Sequence, residues 1–312
     1  MMEEPRASAS ALFLDKQLSG ITLHSFIISR QTPAYIYLTS EQTVKSTSPN
    51  PIRALILDMD GVLWRDNQPI GNLPLIFDQI AQLGWKVTLA TNNATRSVEQ
   101  YQEKLRNFKV EIQSSQIITS GEATAHYLHK RYPAGGNVYV IGEAGLEQTL
   151  RKYGFQIHDR DVQAVVVSYD RQLTYEKLKK AALLIRAGAP LIATNPDLTL
   201  PTPEGLVPGA GAILAAVVAA TQTNPIVIGK PEPEMYRVAI ERMQATPETT
   251  LVVGDRLETD IAGAQKLGCR TALVLSGAAT LQAAKAWQPK PDWIVENLSS
   301  LIDQLQAATV NG

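Results

Sequence analysis

Beyond residue 51 the chain alternates short apolar runs with longer stretches in which apolar positions recur at helical spacing. The runs Ala54 to Leu57, Trp85 to Ala90, Val138 to Ile141, Val162 to Ser168, Leu191 to Ala193, Ile226 to Ile228, Leu251 to Val253 and Thr271 to Leu275 are too short for typical helices and predict buried strands. Between them, Ser97 to Phe108, Tyr175 to Ala187, Glu234 to Met243 and Thr259 to Leu267 predict amphipathic helices. This alternation predicts an α/β architecture built on a parallel sheet. In such sheets ligands bind beyond the carboxyl ends of the strands, so the loops at those ends are the place to look for chemistry.

Residues 1 to 51 break the pattern, with scattered Ser, Thr, Pro and charge and only short apolar patches such as Phe26-Ile27-Ile28. They predict a loosely ordered extension. It lacks the basic start and apolar centre of a secretory signal, and Glu3-Glu4 argues against a transit peptide.

Four strand-end loops carry candidate chemistry. The first reads Asp58-Met59-Asp60-Gly61-Val62-Leu63-Trp64. Two carboxylates so close in sequence need a cation or a proton to relieve them, and hard Mg²⁺ prefers oxygen ligands. Acidic pairs are also common turn formers, so this loop alone leaves both readings open. The second, Thr91-Asn92-Asn93-Ala94-Thr95, clusters hydroxyl and amide groups before a helix. Helix capping accounts for Ser97, whereas Thr91 can either cap or donate to a phosphate oxygen. In the third, Lys230 stands between Gly229 and Pro231 at the end of the run Ile226 to Ile228; a solvated loop lysine is the default reading, against which weighs a position placed by its pattern in the same sheet as the other loops. The fourth, Gly254-Asp255-Arg256-Leu257-Glu258-Thr259-Asp260, adds Asp255 and Asp260 at a helix start, where the macrodipole also favours acids.

Composition removes other classes. With 29 basic and 30 acidic residues the net charge is -1, so no global field draws the chain to nucleic acid or an anionic membrane. No apolar stretch approaches the roughly 20 residues that span a bilayer. The single cysteine, Cys269, excludes an internal disulfide framework and fits a reducing, cytoplasmic setting, where it reads as a buried small hydrophobe. His126 and His129 stand three apart on a predicted helix but have no partner ligand in the sequence.

The four loops, in this order, resemble the four motifs of the haloacid dehalogenase superfamily. The resemblance is closest to its class IIA branch, the 4-nitrophenylphosphatase-like and N-acetylglucosamine-operon phosphatases, and runs from about Ile52 to the C-terminus. Ala193-Thr194-Asn195-Pro196-Asp197, Pro208-Gly209-Ala210-Gly211-Ala212 and the spelling Gly-Asp-Arg-Leu-Glu-Thr-Asp share it. It implies a Rossmann-like parallel-sheet core over 52–118 and 206–312, with an inserted α/β cap domain of the class IIA kind over 119–205. It further implies Mg²⁺-dependent hydrolysis of a phosphomonoester, with Asp58 as nucleophile and Asp60 as general acid and base. Mg²⁺ would be held by the Asp58 carboxylate, the Asp60 carbonyl and the Asp255 carboxylate, while Asp260 orients waters or Lys230. Lys230, Thr91 and the N–H groups of Asn92 and Asn93 would stabilise the transferring phosphoryl group.

The cap would exclude water and contact the leaving group, with Asn195, Asp197, Asp170 and Arg171 as candidates and turn formation as their alternative. Gly209 and Gly211 would shape the return to the core. The expected partner is a small phosphomonoester. Relatives of this branch often pair through their caps, which leaves a homo-oligomer open here. A protein phosphatase and a silent binding protein of the same fold are the competing readings. A substantial cap argues against the first, and the presence of Asp58, Asp60, Lys230 and Asp255 against the second.

Overall fold

The computed structural model describes residues 51–202 and 204–310, so the expectation for the N-terminal extension lies, Pro51 apart, outside the described residues. Two parallel sheets organise the rest. The first runs Trp293–Val295, Arg270–Val274, Thr250–Gly254, Ala54–Leu57, Lys86–Thr91, Ile117–Thr119, with every neighbouring pair parallel. Its chain order reverses beside Ala54–Leu57, which pairs on one side with the next core strand and on the other with Thr250–Gly254 from far along the chain. This is the switch point at which open α/β sheets form a crevice.

Alternate residues of a strand face opposite sides. Leu55 and Leu57 enter one apolar layer with helices Leu73–Gln82, Val98–Asn107 and Leu298–Val310. Ala54 and Ile56 enter the other, around helices Ser120–Arg131 and Glu234–Met243. Ser97 caps its helix as expected: its Oγ accepts from Gln100 N at 3.4 Å while Gln100 Oε1 accepts from Ser97 N at 2.8 Å.

The second sheet runs Ile226–Val227, Leu191–Ala193, Val162–Val167, Gly136–Ile141, Phe155–Ile157, again all parallel. Its Val138, Val166 and Ile192 join Ala54 and Ile56 in the shared layer, so the same helices cover both sheets. Helices Tyr175–Arg186 and Ala210–Thr221 close its far face through Ile185, Ile213 and Val217. The layering is therefore α/β/α/β/α.

Two expectations change. The alternation along the chain assigns the run from Ile226 to the sheet of the catalytic loops, but it pairs with the second sheet, Ile226 opposite Ile192 and Val227 opposite Ala193. Helix Ala210–Thr221 packs Ile213, Leu214 and Val217 against Val165 and Val167, which delivers the strand after it to that sheet's edge. The inserted layer consequently continues past residue 205 to Val227, interrupted by the antiparallel hairpin of Thr199–Thr202 and Gly205–Pro208. Within the two parallel sheets, the three strands absent from the sequence reading, Ile117–Thr119, Phe155–Ile157 and Trp293–Val295, are all sheet edges of three residues, too short to show a period. No helix among the described residues is long and apolar enough to cross a membrane.

Candidate active site

The first sheet brings its carboxylates together at the switch point. Asp58 extends the ladder beyond Leu57, its N–H donating to Val253 O at 2.9 Å. The chain then doubles back. Gly61 takes a left-handed φ of 82° and donates to Trp64 O at 2.8 Å, and the Trp64 indole Nε1 donates to Asp60 Oδ1 at 2.8 Å. Asp255 leaves the adjacent strand Thr250–Gly254, with Oδ2 accepting from Ala278 N at 2.7 Å. A Cβ on either Gly61 or Gly277 would run into the Asp255 carboxylate, so both glycines allow the close approach. The predicted helix from Thr259 starts instead as a π turn, Leu257–Ile261, before Ala262–Leu267 continues as α-helix. Such turns recur at functional sites, and this one aims Asp260 back so that its Oδ2 accepts from Arg256 N at 3.1 Å.

The second sheet supplies the countercharge. Ile228 and Gly229 continue its edge strand through bonds to Ala193 O and Thr194 O. Lys230 follows, with 3% of its surface exposed. Its Nζ donates to Asp58 Oδ1 at 2.5 Å, Asp260 Oδ1 at 2.6 Å and Ala90 O at 3.1 Å, which uses every proton of the ammonium.

Asn92 binds the two sheets' loops to each other. Its Oδ1 accepts from Lys230 N at 2.8 Å, and its Nδ2 donates to Lys230 O at 2.9 Å and Asp197 Oδ2 at 3.1 Å. Asn195 adds a second tie, Nδ2 donating to Asn92 O at 2.8 Å while Oδ1 accepts from Asp197 N at 3.1 Å. The amide side chains of both asparagines are thus committed to joining loops, which leaves untouched the expectation for Asn92, made of its backbone N–H. Thr91 is buried at the strand end, and its Oγ1 accepts from Asn93 N at 3.2 Å. Asn93 Oδ1 accepts from Thr95 N at 2.9 Å and Thr95 Oγ1 at 2.7 Å, a local turn.

A cavity of about 430 Å³ opens over this cluster and is lined by Asp58, Asp60, Thr91, Asn92, Asn93, Asn195, Asp197, Lys230, Asp255 and Asp260. Every residue named in the sequence reading for catalysis or metal binding meets there. Asp170 and Arg171 do not. Asp170 is buried against Lys177 Nζ at 2.6 Å and Gln172 N at 2.8 Å, and Arg171 makes a two-pronged surface pair with Glu143 at 2.5 and 2.9 Å. Their neighbour Tyr169 lines the cavity instead, as do Trp64 and Arg256, to which the sequence reading gives no role. Trp64 stands in the first loop itself, so the tight turn imposed by Gly61 was the available signal. Among the described residues the histidines form no site: His126 Nε2 is 3.9 Å from Glu241 Oε2, which Lys130 already holds at 2.9 Å, His129 packs edge-on against Tyr153, and His158 Nδ1 accepts from Arg160 N at 3.1 Å.

Burial sets the electrostatics. It pushes the Asp58 carboxyl well above the usual carboxylate range, Lys230 opposes that shift, and Asp260 and Asp255 reinforce it. Burial, then Asp260, pushes Asp255 up to about 6. Burial alone would discharge Lys230, but Asp260 and Asp58 hold its ammonium well above the ordinary lysine range. Burial also raises Asp197. Asp58, Asp255 and Asp260 each offer an oxygen within 4.8 Å of the others, the sole such group among the described residues. Three carboxylates against one lysine leave an excess of buried negative charge, and an all-oxygen donor set fits a hard divalent cation.

The sequence matches the family model described as haloacid dehalogenase-like hydrolase over residues 55–156 and a second described as HAD-hydrolase-like over 227–301. An acid sugar phosphatase of Staphylococcus aureus is 35% identical over 255 residues, covering 81% of this chain and 98% of that protein. The 4-nitrophenylphosphatase structure from Thermotoga maritima superposes with a TM-score of 0.78 at 35% identity, covering 82% of this chain and 98% of its own. NagD from Escherichia coli K-12 does so at 0.75 and 33%, covering 80% and 98%. With two family models matched, relatives spanned almost end to end and the carboxylates gathered at the switch point, the chain belongs to the haloacid dehalogenase-like hydrolases, on their 4-nitrophenylphosphatase and NagD branch.

Proposed function

We propose that the protein hydrolyses a small phosphomonoester in two steps through a phosphoryl group carried on Asp58. Support comes above all from Lys230, which crosses from the second sheet to fix Asp58 and Asp260 within the acidic cluster. A nucleophile held at one oxygen by an ammonium is oriented for attack. In the first step an Asp58 oxygen bonds to phosphorus, the bond to the leaving oxygen breaks, and Asp60 gives that oxygen its proton. In the second, Asp60 takes a proton from water, the water oxygen bonds to phosphorus, and the bond to Asp58 breaks to release inorganic phosphate. Lys230, Thr91 and the backbone N–H groups of the Asn92 loop face the charge on the phosphoryl oxygens.

The Asp58 and Asp255 carboxylates and the Asp60 carbonyl would hold Mg²⁺. When bound it keeps Asp58 ionised despite burial and neutralises phosphoryl charge. Both Asp260 oxygens already accept hydrogen bonds, from Lys230 and from Arg256 N, which suits an anchoring role. The inserted layer, with Tyr169 and Asp197 over the cavity, contacts the leaving group, and the cavity's size suits a small molecule. A sugar phosphate is the substrate class suggested by the Staphylococcus aureus relative, an acid sugar phosphatase. The single cysteine, buried and unpaired, suits the cytoplasm.

The test is release of 4-nitrophenol from its phosphate with Mg²⁺, with EDTA, and by Asp58→Asn. We expect activity in the first case alone. Full activity of the variant would overturn the covalent route, and no turnover by a folded, Mg²⁺-loaded sample on a broad phosphomonoester panel would favour a binding protein.

A further inference from the structure

We infer that Trp64 is a positioning residue for the proton transfer, holding the carboxyl of Asp60 so that one oxygen accepts and the other carries the acidic proton. This rests on the role of Asp60 proposed above. Trp64 is fully buried, yet its Nε1 meets Asp60 Oδ1 at 2.8 Å, while Asp60 itself is exposed within the cavity. An indole N–H donates and cannot accept. It therefore engages Oδ1 as an acceptor in either protonation state, leaving Oδ2 to carry the proton toward the cavity.

The tryptophan is itself immobilised. Its ring stacks on Tyr101 at 6.4 Å and 16°, meets Phe108 at 5.9 Å, and carries Lys104 Nζ 4.1 Å from its centroid. An exposed carboxylate beside a turn glycine is otherwise free to rotate, and the proton donor must lie within hydrogen-bond reach of the leaving oxygen. The rigid ring supplies that restraint. The proton moves from Asp60 Oδ2 to the leaving oxygen as the phosphorus–oxygen bond breaks, and Trp64 gives and takes none.

Leaving groups distinguish this role from simple packing. An alkyl phosphate expels a strongly basic alkoxide and depends on the acid, whereas 4-nitrophenolate is stable and needs it little. The measured quantity is kcat/KM, which covers only steps up to phosphoryl transfer, for glycerol phosphate and 4-nitrophenyl phosphate, in the Mg²⁺-loaded full chain. General acids contribute about 10²- to 10⁴-fold. For Trp64→Phe we expect a loss about tenfold larger on the alkyl than on the aryl ester, a fraction of that range. Equal losses on both esters, or none on either, would overturn the inference. Asp60→Asn in the same assay separates the two readings: if it shows no leaving-group dependence, the acid role of Asp60 falls. If Asp60→Asn shows the dependence and Trp64→Phe does not, only the role of Trp64 falls. Adding Trp64→Phe to Asp60→Asn should cost the alkyl ester nothing more, since Trp64 acts through Asp60, whereas additive losses would mark packing. Should the phenylalanine variant not fold, benzothienylalanine at position 64 keeps the bicyclic shape without the N–H, and the same outcomes decide.

Discussion

The two sheets end at the same cavity but bring it different groups. From the first come the carboxylates Asp58, Asp60, Asp255 and Asp260, and from the second come the Lys230 ammonium, the Asn195 amide and the Asp197 carboxylate. Neither edge is electrostatically complete. The carboxylates would crowd buried like charge without Lys230, and Lys230 would be a buried, unpaired cation without Asp58 and Asp260. The site is thus an interface between two layers, and its integrity depends on the ties that Asn92 and Asn195 make across it.

The largest effect should follow from damage to the first sheet's nucleophile. Asp58→Asn should lower kcat by about 10⁴-fold or more, the scale seen when a nucleophile is removed, read as 4-nitrophenol release. Lys230→Met attacks the second sheet's contribution: it should abolish most activity and cost about 3 kcal/mol in urea unfolding, because Asp58 and Asp260 lose their buried partner. Asn92→Ala keeps both charges but cuts the ties between the layers. We expect a loss of about 1–3 kcal/mol, since backbone groups of Lys230 are left without partners, together with reduced kcat. Arg171→Ala, on the second sheet's outer loop, should leave KM unchanged, since Arg171 is exposed and its pair with Glu143 lies outside the cavity.

The smallest effect is at Cys269, in the layer shared by both sheets. Burial pushes its thiol up to about 12. The folded protein should therefore resist a thiol reagent at about pH 8, near the ordinary cysteine value, and react only on unfolding. Because the folded value is the raised one, the associated stability is complete below the unfolded pKa and declines as pH rises from there toward 12. Fast labelling of the native state would show that the shared layer opens independently of global unfolding.

Much of this was legible along the chain. Helix Glu234–Met243 has the boundaries its apolar spacing predicts, and the core strands Ala54–Leu57 and Thr250–Gly254 fall within a residue of the runs that suggested them. Asp58, Asp60, Asp255 and Lys230 each follow a short apolar run, a local relation that left each loop open by itself, and the order of the four loops with its family resemblance singled them out. Asp170 and Arg171 also follow a strand, Val162–Val167, and the sequence leaves their role open; their partners Lys177 and Glu143 hold the side chains away from the cavity.

Local order along the chain suffices to specify the α/β alternation, the strand-end loops and the kinds of groups they carry, because strand and helix periods and turn chemistry are read within a few residues. It does not say which sheet a strand joins. A two-residue strand such as Ile226–Val227 bears no mark of its partner, and its place beside Leu191–Ala193 was set by the packing of helix Ala210–Thr221 onto the second sheet. The tertiary structure alone decided that Lys230 crosses between layers and that Asn92 spends its side chain holding it there. These are contacts between groups whose distance in space is set by long-range burial of apolar surface, which no local pattern encodes.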